Sequence, residues 1–231
     1  PRPLLPDSVQ DIGPFWEPNL EMLAALRPAL IISDALPAAV MTKMATIAPV
    51  ETVTAFATSG DLWQTLHDWT QQLGARLKVT PRATQWLQQV DTAMDTYHQR
   101  LITPQLKRVL VMVLDQDGKY ATLYGTGSLA DAVLRQLGLI NAWQKSVNAA
   151  HVARVRIEEL ADLPCDWLFY TELPTAMTRL MRARQPNGLW QHLPMVAQGR
   201  VTRRDHFFPF GSLATALGLA DDITRVLGTA S

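Results

Sequence analysis

A helical pattern runs without interruption through the middle of this chain, and it limits the possible folds more than any other feature. Thr80-Pro81 begins the pattern as an N-cap followed by proline at the first helical position. Apolar residues then recur at helical spacing up to about Ile102. Roughly 20 residues at 1.5 Å each span about 30 Å, the diameter of a small domain. Such a helix is either a strut between two lobes or a long helix within one core.

The segments on both sides of this helix alternate helices with short apolar strands, which is typical of an α/β fold. Before it, the pattern predicts helices at 19–26 and 61–74, the second beginning at Asp61 and closed by Gly74, and buried strands at 29–32 and 50–56. After it, Asp117-Gly118 predicts a hairpin turn. The predicted strands there are 109–114, 119–124, 167–170 and 200–204, and the predicted helices are 128–137, 157–163, 173–184 and 212–227.

Two stretches on opposite sides of the long helix resemble each other. NLEMLAALRPALII (19–32) and RIEELADLPCDWLFY (156–170) both have the pattern of a helix, a proline and a buried strand. This repetition favours two lobes of similar topology. We therefore predict an α/β protein of two lobes joined by a single long helix. The predicted boundaries are an N-terminal lobe at 1–79, a connecting helix at 80–104 and a C-terminal lobe at 105–231.

Composition and charge exclude several kinds of partner. Lys+Arg and Asp+Glu both total 21, so the formal net charge is zero and nothing favours binding to nucleic acid or to an anionic membrane. No apolar run approaches the roughly 20 residues that a membrane-spanning helix needs. Cys165 is the only cysteine, which excludes an internal disulfide, and its apolar neighbours predict a buried thiol without catalytic activation.

The sequence carries no recognisable catalytic or metal-binding motif. No histidine pairs with another His, Cys or carboxylate at the spacing of a zinc site, and the nucleophile elbow G-x-S-x-G is absent. The carboxylates form no recognisable general acid/base pair. We therefore predict no catalytic residue, no metal ligand and no cofactor.

GTGSLA (125–130) matches the outline G-x-G-x-x-A of a dinucleotide-binding turn. However, the strand before it is the second arm of the predicted hairpin and not the first strand of a parallel crossover. About 20 residues later, where an acid should meet a ribose hydroxyl, SVNAAHV contains none. The pattern favours a tight turn into a helix capped by Ser128.

Bulky aromatic residues concentrate in two turns. Phe15 and Trp16 follow a Gly-Pro pair, and RRDHFFPFG (203–211) places three phenylalanines after a strand that ends in two arginines. These rings either fold back into the core or line a ligand site, since ligands of α/β sheets bind beyond the carboxyl ends of strands. The second alternative gives the hypothesis of two aromatic walls that face a cleft.

Four stretches follow the order of a known family, and together they cover nearly the whole chain. They are EPNLEMLAALRPALIIS, LGLINAW (137–143), IEELADLPCDWLFY and LPMVAQGRVTRRDHFFPFG. The chain resembles the periplasmic binding proteins that serve iron–siderophore, haem and cobalamin importers, and it is most similar to the ferric-hydroxamate branch. The resemblance implies two lobes around a shallow aromatic cleft. It also implies that the first lobe lacks an N-terminal segment that other members carry.

The resemblance implies a monomeric periplasmic protein that captures an iron(III)–siderophore complex, of hydroxamate type, and delivers it to an inner-membrane permease of the ABC type. No bond is made or broken, and the iron arrives already wrapped by its chelator. Binding of haem or cobalamin is the nearest alternative. A dinucleotide-binding α/β enzyme is the alternative from another class, and a remnant without any ligand is the third.

The aromatic turns and the resemblance together give seven candidate ligand contacts. They are Phe15, Trp16, Tyr124, His151, Arg203, Phe208 and Phe210. Glu158 matches an acidic residue through which the family docks its permease. The family's arginine that reaches hydroxamate oxygens falls at Phe15 in this chain, and Arg203 or Arg204 is its expected substitute.

Overall fold

The computed structural model describes residues 6–14, 17–33, 36–52, 60–101, 108–115, 118–172, 189–204, 207–209 and 211–229. The chain forms two compact units, residues 1–55 and residues 56–231. Within the described residues, no helix is both long enough and apolar enough to cross a membrane.

The first unit packs two helices and a pair of short strands around a small core. Its elements are α1 (Leu20–Leu26), β1 (Ile31–Ser33), α2 (Ala38–Ile47) and β2 (Val50–Thr52), and the two strands pair in parallel. Asn19 begins α1 as predicted, because its side-chain oxygen accepts a 3.0 Å hydrogen bond from the amide of Met22. The core consists of Leu23, Ile31, Met44 and Ala48.

The first predicted strand is present, but it is less buried than its apolar sequence suggested. The pattern predicted a buried strand at 29–32, whereas β1 covers Ile31–Ser33 and Ile32 is 46% exposed. Successive side chains of a strand point to opposite faces, and only the Ile31 face reaches the small core. The second predicted strand, 50–56, is confirmed at Val50–Thr52, and its remaining residues lie outside the described ones.

The second unit is built on a mixed sheet with the strand order β6-β4-β3-β7-β8. Its strands are β3 (Arg108–Leu114), β4 (Tyr120–Tyr124), β5 (Ile140–Asn141), β6 (Val152–Arg156), β7 (Trp167–Glu172) and β8 (Val201–Arg204). β4 is antiparallel to both β3 and β6, whereas β3, β7 and β8 are parallel, and β5 pairs with the start of β3. The antiparallel pairing of β3 with β4 confirms the predicted hairpin, although Asp117 of its turn lies outside the described residues.

Helices cover both faces of this sheet. They are α3 (Leu62–Arg76), α4 (Thr80–Arg100), α5 (Leu129–Gln136), α6 (Leu189–His192), α7 (Pro194–Ala197) and α8 (Leu213–Leu227), with a 3₁₀ turn at Ile157–Leu160. Because side chains alternate along β3, Val109 and Val111 join a core with α3, α4, α5 and α8. Leu110 and Met112 join a second core, on the other face, with the 3₁₀ turn, α6 and α7.

The predicted long helix in mid-chain is confirmed as α4, but Thr80 is its first helical residue and not its N-cap, which is Val79. Leu87, Val90 and Met94 are buried on one of its faces, as the periodicity requires. The predicted role of Gly74 as a C-cap is wrong, because α3 continues to Arg76. A Cβ atom at Gly74 would lie 2.4 Å from the Cβ of Ala83, so glycine at this position allows α3 and α4 to approach closely.

The remaining predicted elements within the described residues match with small shifts at the ends, and the structure adds α2, β5, β6, α6 and α7, which the sequence did not predict. The helices predicted at 128–137 and 212–227 are α5 and α8, and the helix predicted at 157–163 is the shorter 3₁₀ turn. The helix predicted at 173–184 lies outside the described residues. The division into lobes at 79 and 104 stays a prediction.

Candidate functional site

The aromatic site of the second unit is built around Tyr124, the last residue of β4. Its side chain is 3% exposed, and its ring meets the ring of Phe207 edge to face, with centroids 5.2 Å apart and an interplanar angle of 73°. Such a pair contributes about 0.5–1.5 kcal/mol beyond the area that it buries. Burial raises the pKa of the Tyr124 hydroxyl well above its ordinary value of 10, so the hydroxyl stays neutral at physiological pH.

Two neighbouring phenylalanines after β8 lie in different environments. Phe207 packs against the core that contains Tyr124, whereas Phe208 is 48% exposed. A backbone hydrogen bond from the amide of Gly211 to the carbonyl of Phe208 (3.2 Å) bridges the end of this loop. We call residues 207–209, which lie in the connection between β8 and α8, the aromatic loop. Phe207 anchors the aromatic loop to the core, and Phe208 presents a ring at the surface.

The two arginines that end β8 belong to opposite faces of the sheet. In register, Arg203 pairs with Tyr170, which lies in the core of α6 and α7, and Arg204 pairs with Thr171 on the other face. The Nε atom of Arg203 is 3.7 Å from Oε2 of the buried Glu172. Arg203 is therefore on the face opposite the Tyr124–Phe207 pair, and it is already engaged with a carboxylate.

Arg204, which the sequence analysis kept only as a substitute for the family's arginine, lies beside the aromatic pair. Its guanidinium forms an ion pair with Asp222 of α8, and its Cζ atom is 5.8 Å from the centre of the Phe207 ring. The sequence analysis left Asp222 out and did not select Phe207 as a contact. The FF dipeptide signalled an aromatic site, but only the tertiary contact with Tyr124 distinguishes the anchored ring from the exposed one.

His151 lies next to the end of β4, in the connection that leads into β6. The amide of Gly125 donates to the carbonyl of His151 (3.0 Å), and Tyr124 is in register with Val152. The Nδ1 atom of His151 is 3.0 Å from the carbonyl oxygen of Thr126. A carbonyl can only accept, so Nδ1 carries the hydrogen of this bond. The structure thus brings His151 close to Tyr124 along the chain, in a contact with the 125–128 turn.

Gly127 has no room for a side chain in this turn. Its φ is +86°, and a Cβ atom at this position would lie 2.4 Å from Nδ1 of His151. A left-handed φ favours glycine in any case. The second glycine of GTGSLA is therefore explained by the packing of His151, without a bound phosphate.

The turn after β4 forms hydrogen bonds with the first turn of the helix that follows it, α5. The Gly127 amide donates to a carboxylate oxygen of the buried Asp131 (3.0 Å), and the Asp131 amide donates to Oγ of Ser128 (3.1 Å). A pyrophosphate at this helix start would meet the carboxylate of Asp131 and be repelled. The arrangement is that of a Ser-capped helix, as the sequence favoured, and it is unsuited to a dinucleotide.

Glu158, the predicted docking residue, lies in the 3₁₀ turn after β6. It is exposed, and the neighbouring Glu159 caps the turn by accepting a 3.0 Å hydrogen bond from the Arg156 amide. The two acidic residues thus differ in role. Glu159 stabilises the turn, and Glu158 carries its charge at the surface.

Three of the predicted contacts, Phe15, Trp16 and Phe210, lie outside the described residues, so the aromatic wall of the first lobe stays a prediction. In the part of the chain that the structure describes, no group of three or more His, Cys, Asp or Glu side chains is arranged to hold a metal ion. Burial raises the pKa of the Cys165 thiol to about 12, and Sγ donates to the carbonyl of Trp167 (3.2 Å). Cys165 is therefore an unreactive thiol at neutral pH, as predicted.

Comparison with known sequences connects this geometry to a family. The chain matches the family model described as "Periplasmic binding protein" over residues 2–206. The iron(3+)-hydroxamate-binding protein FhuD of Escherichia coli (strain K12) is 26% identical over 232 residues, which cover 98% of this chain and 75% of that relative.

Comparison with solved structures gives the same result at the level of the fold. FhuD from Vibrio cholerae, solved with bound Fe³⁺–Desferal, matches with a TM-score of 0.87 and 26% identity, covering 100% of this chain and 86% of that chain. FeuA from Bacillus subtilis, a triscatecholate siderophore-binding protein complexed with ferri-bacillibactin, matches with a TM-score of 0.75 and 16% identity, covering 93% of this chain and 75% of that chain. The likeness to FeuA shows a common fold only.

These matches confirm the predicted α/β fold of the two-lobed binding proteins. They also confirm the predicted resemblance to the ferric-hydroxamate branch of that family. The family and the relatives are substrate-binding transport proteins, so the prediction that the chain is not an enzyme is also confirmed. This chain belongs to the periplasmic binding protein family.

Proposed function

We propose that this protein captures an iron(III)–siderophore complex of hydroxamate type in the periplasm and delivers it to an ABC-type permease of the inner membrane. The observation that carries this proposal is the match, over 100% of this chain, to a FhuD structure whose bound ligand is Fe³⁺–Desferal. The sequence likeness to the iron(3+)-hydroxamate-binding protein of Escherichia coli supports the same ligand class. The iron is cargo inside its chelator, so the protein needs no metal ligands of its own.

Within the second unit, the proposed ligand contact is the exposed ring of Phe208. A half-exposed phenylalanine next to the buried Tyr124 and the partly buried Phe207 offers an apolar surface to a ligand. Tyr124 and Phe207 lie behind the ligand. Phe15, Trp16, His151, Arg203 and Phe210 remain proposed contacts on the strength of the sequence.

The exposed Glu158 is the proposed permease contact of this unit. Its carboxylate lies at the surface, so a cationic side chain on the permease can pair with it. An exposed pair of this kind sets orientation and association rate more than affinity.

The proposal is tested by binding of Fe³⁺–Desferal to the wild type and to a Phe208→Ala variant. We expect saturable binding to the wild type and an affinity about tenfold lower for Phe208→Ala, because one aromatic contact in a ligand site contributes roughly 1–3 kcal/mol. The matched control is Leu77→Ala, which shortens another half-exposed apolar side chain after α3 and should leave affinity unchanged. Equal affinities for wild type and Phe208→Ala would remove Phe208 from the site. Failure of the folded wild type to bind would contradict the hydroxamate proposal.

A further inference from the structure

The side chain of Arg204 is buried and only partly satisfied. It is 10% exposed, and its Nη2 atom binds the carboxylate of Asp222 and lies 3.5 Å from the carbonyl oxygen of Gly218. Its Nε and Nη1 atoms are buried and have no hydrogen-bond partner within the described part of the chain. The face of the Phe207 ring is the aromatic surface near this guanidinium, at 5.8 Å from Cζ.

An ion pair that is partly removed from water and leaves donors unsatisfied is a poor source of stability. Removing two charges from water is unfavourable, and replacing such a pair by apolar side chains of similar volume is often neutral or stabilising. A guanidinium that lacks acceptors for two of its donors makes the free energy of such a pair still less favourable. The main physical effect of the Arg204–Asp222 pair is therefore on where its groups lie, and less on the free energy of unfolding.

The pair joins the two elements between which the aromatic loop runs. Arg204 is the last residue of β8, before the loop, and Asp222 lies on α8, after it. Between them, Phe207 contacts both the guanidinium of Arg204 and the ring of Tyr124. The ion pair thus joins the end of β8 to α8, and the ring of Phe207 lies beside its guanidinium.

We propose that the Arg204–Asp222 ion pair positions the aromatic loop, so that Phe207 stays on Tyr124 and Phe208 is presented to the ligand. Arg204 acts here as a positioning residue through Phe207, and it does not touch the ligand. This inference rests on the proposed function, because it concerns the same aromatic site.

The first test replaces the pair by apolar side chains of similar size in an Arg204→Met/Asp222→Leu double variant. We expect its melting temperature to stay within a few degrees of the wild type, since the partly buried pair contributes little stability, while its affinity for Fe³⁺–Desferal falls about tenfold. The matched control is Arg225→Met, because Arg225 is an exposed partner of the same Asp222 carboxylate and lies outside the aromatic site. Arg225→Met should bind with wild-type affinity. An unchanged affinity in the double variant would overturn the proposal.

The second test separates positioning from direct contact. If Arg204 acts through the loop, the double substitution should lower affinity in the wild type and have little further effect in a Phe208→Ala background. Equal losses in both backgrounds would show that Arg204 acts independently of Phe208 and would overturn the proposal.

The third test does not use a ligand. A fluorine NMR label on Tyr124 should change its chemical shift in the Arg204→Met/Asp222→Leu variant and keep it in Arg225→Met, because the shift reports whether the ring of Phe207 stays against Tyr124. An unchanged shift in the double variant would contradict the positioning role. This readout remains decisive if the wild type binds no siderophore, so the failure of the proposed function and the failure of this inference are distinguishable.

Discussion

At Tyr124, burial determines both what the side chain contacts and how it titrates. The same environment that packs its ring against Phe207 removes its hydroxyl from water. The folded protein therefore holds the proton of this hydroxyl to a higher pH than the unfolded chain does. One residue thus links the aromatic base of the candidate site to the stability of the fold in alkali.

Tyr124 should make stability fall with increasing pH above about 10. Its unfolded pKa is near 10 and its folded pKa is raised, so above pH 10 the unfolded state binds fewer protons and unfolding is favoured. Its contribution is fully present below the unfolded pKa and is lost as the pH rises toward the folded value, by at most about 1.4 kcal/mol per pH unit. Urea unfolding of the wild type and Tyr124→Phe between pH 9 and pH 11.5 should give a shallower decline for the variant. Parallel declines would contradict this account, and similar stabilities at pH 7 would show that the ring contact is kept.

At the scale of the element, the close approach of α3 and α4 depends on Gly74, whose role was predicted wrongly from the sequence. Helical period and an Asp61 N-cap predicted α3 correctly, and a glycine near its end was interpreted as a cap. Rules based on local sequence interpret a glycine near the end of a helix as a sign that the helix ends there. The contact with Ala83, which explains Gly74, comes from the packing of the next helix.

Two helical glycines should respond to alanine in opposite directions. Alanine is favoured over glycine in a helix by about 1 kcal/mol, but a Cβ at Gly74 would collide with Ala83, and overpacking costs about 1–3 kcal/mol. We expect Gly74→Ala to lower the free energy of unfolding. Gly218 of α8 is the control, because nothing lies within 4 Å of its Cβ position, and Gly218→Ala should raise the free energy of unfolding by up to about 1 kcal/mol. Chemical denaturation measures both, and stabilisation by both substitutions would contradict the close approach of α3 and α4.

In strand β8, the local sequence pattern predicts that Arg203 and Arg204 alternate between faces, but it does not predict the strand's register. Strand period alone places the side chains of Arg203 and Arg204 on opposite faces of the sheet. The register of β8 against β7 determines which of the two arginines lies on the same face of the sheet as the Tyr124–Phe207 pair. That register is a long-range property that the local sequence does not carry.

At the scale of the whole molecule, part of the order of helices and strands was predictable from hydrophobic period, caps and prolines, whereas α2, β5, β6, α6 and α7 were not predicted. The hairpin of β3 and β4, the long helix α4 and the Ser-capped α5 all matched. Burial was less predictable, as Ile32 shows, because it depends on how much core the other elements supply. The aromatic character of the site was visible in the sequence, but the anchoring of Phe207 and the pairing of Arg204 with Asp222 were not, since both join residues that are distant along the chain.

A parallel titration of the folded protein with six ligands decides whether it binds ferric hydroxamates. The six ligands are Fe³⁺–Desferal, ferrichrome, a ferric catecholate, haem, cobalamin and NADH. Seven tryptophans make intrinsic fluorescence a suitable signal, and calorimetry supplies the stoichiometry. The account predicts saturable one-to-one binding of the two ferric hydroxamates, more tightly than any of the other four ligands. Tighter binding of haem, cobalamin, the catecholate or NADH, or no binding of any ligand by protein whose circular dichroism shows it folded, would contradict the account.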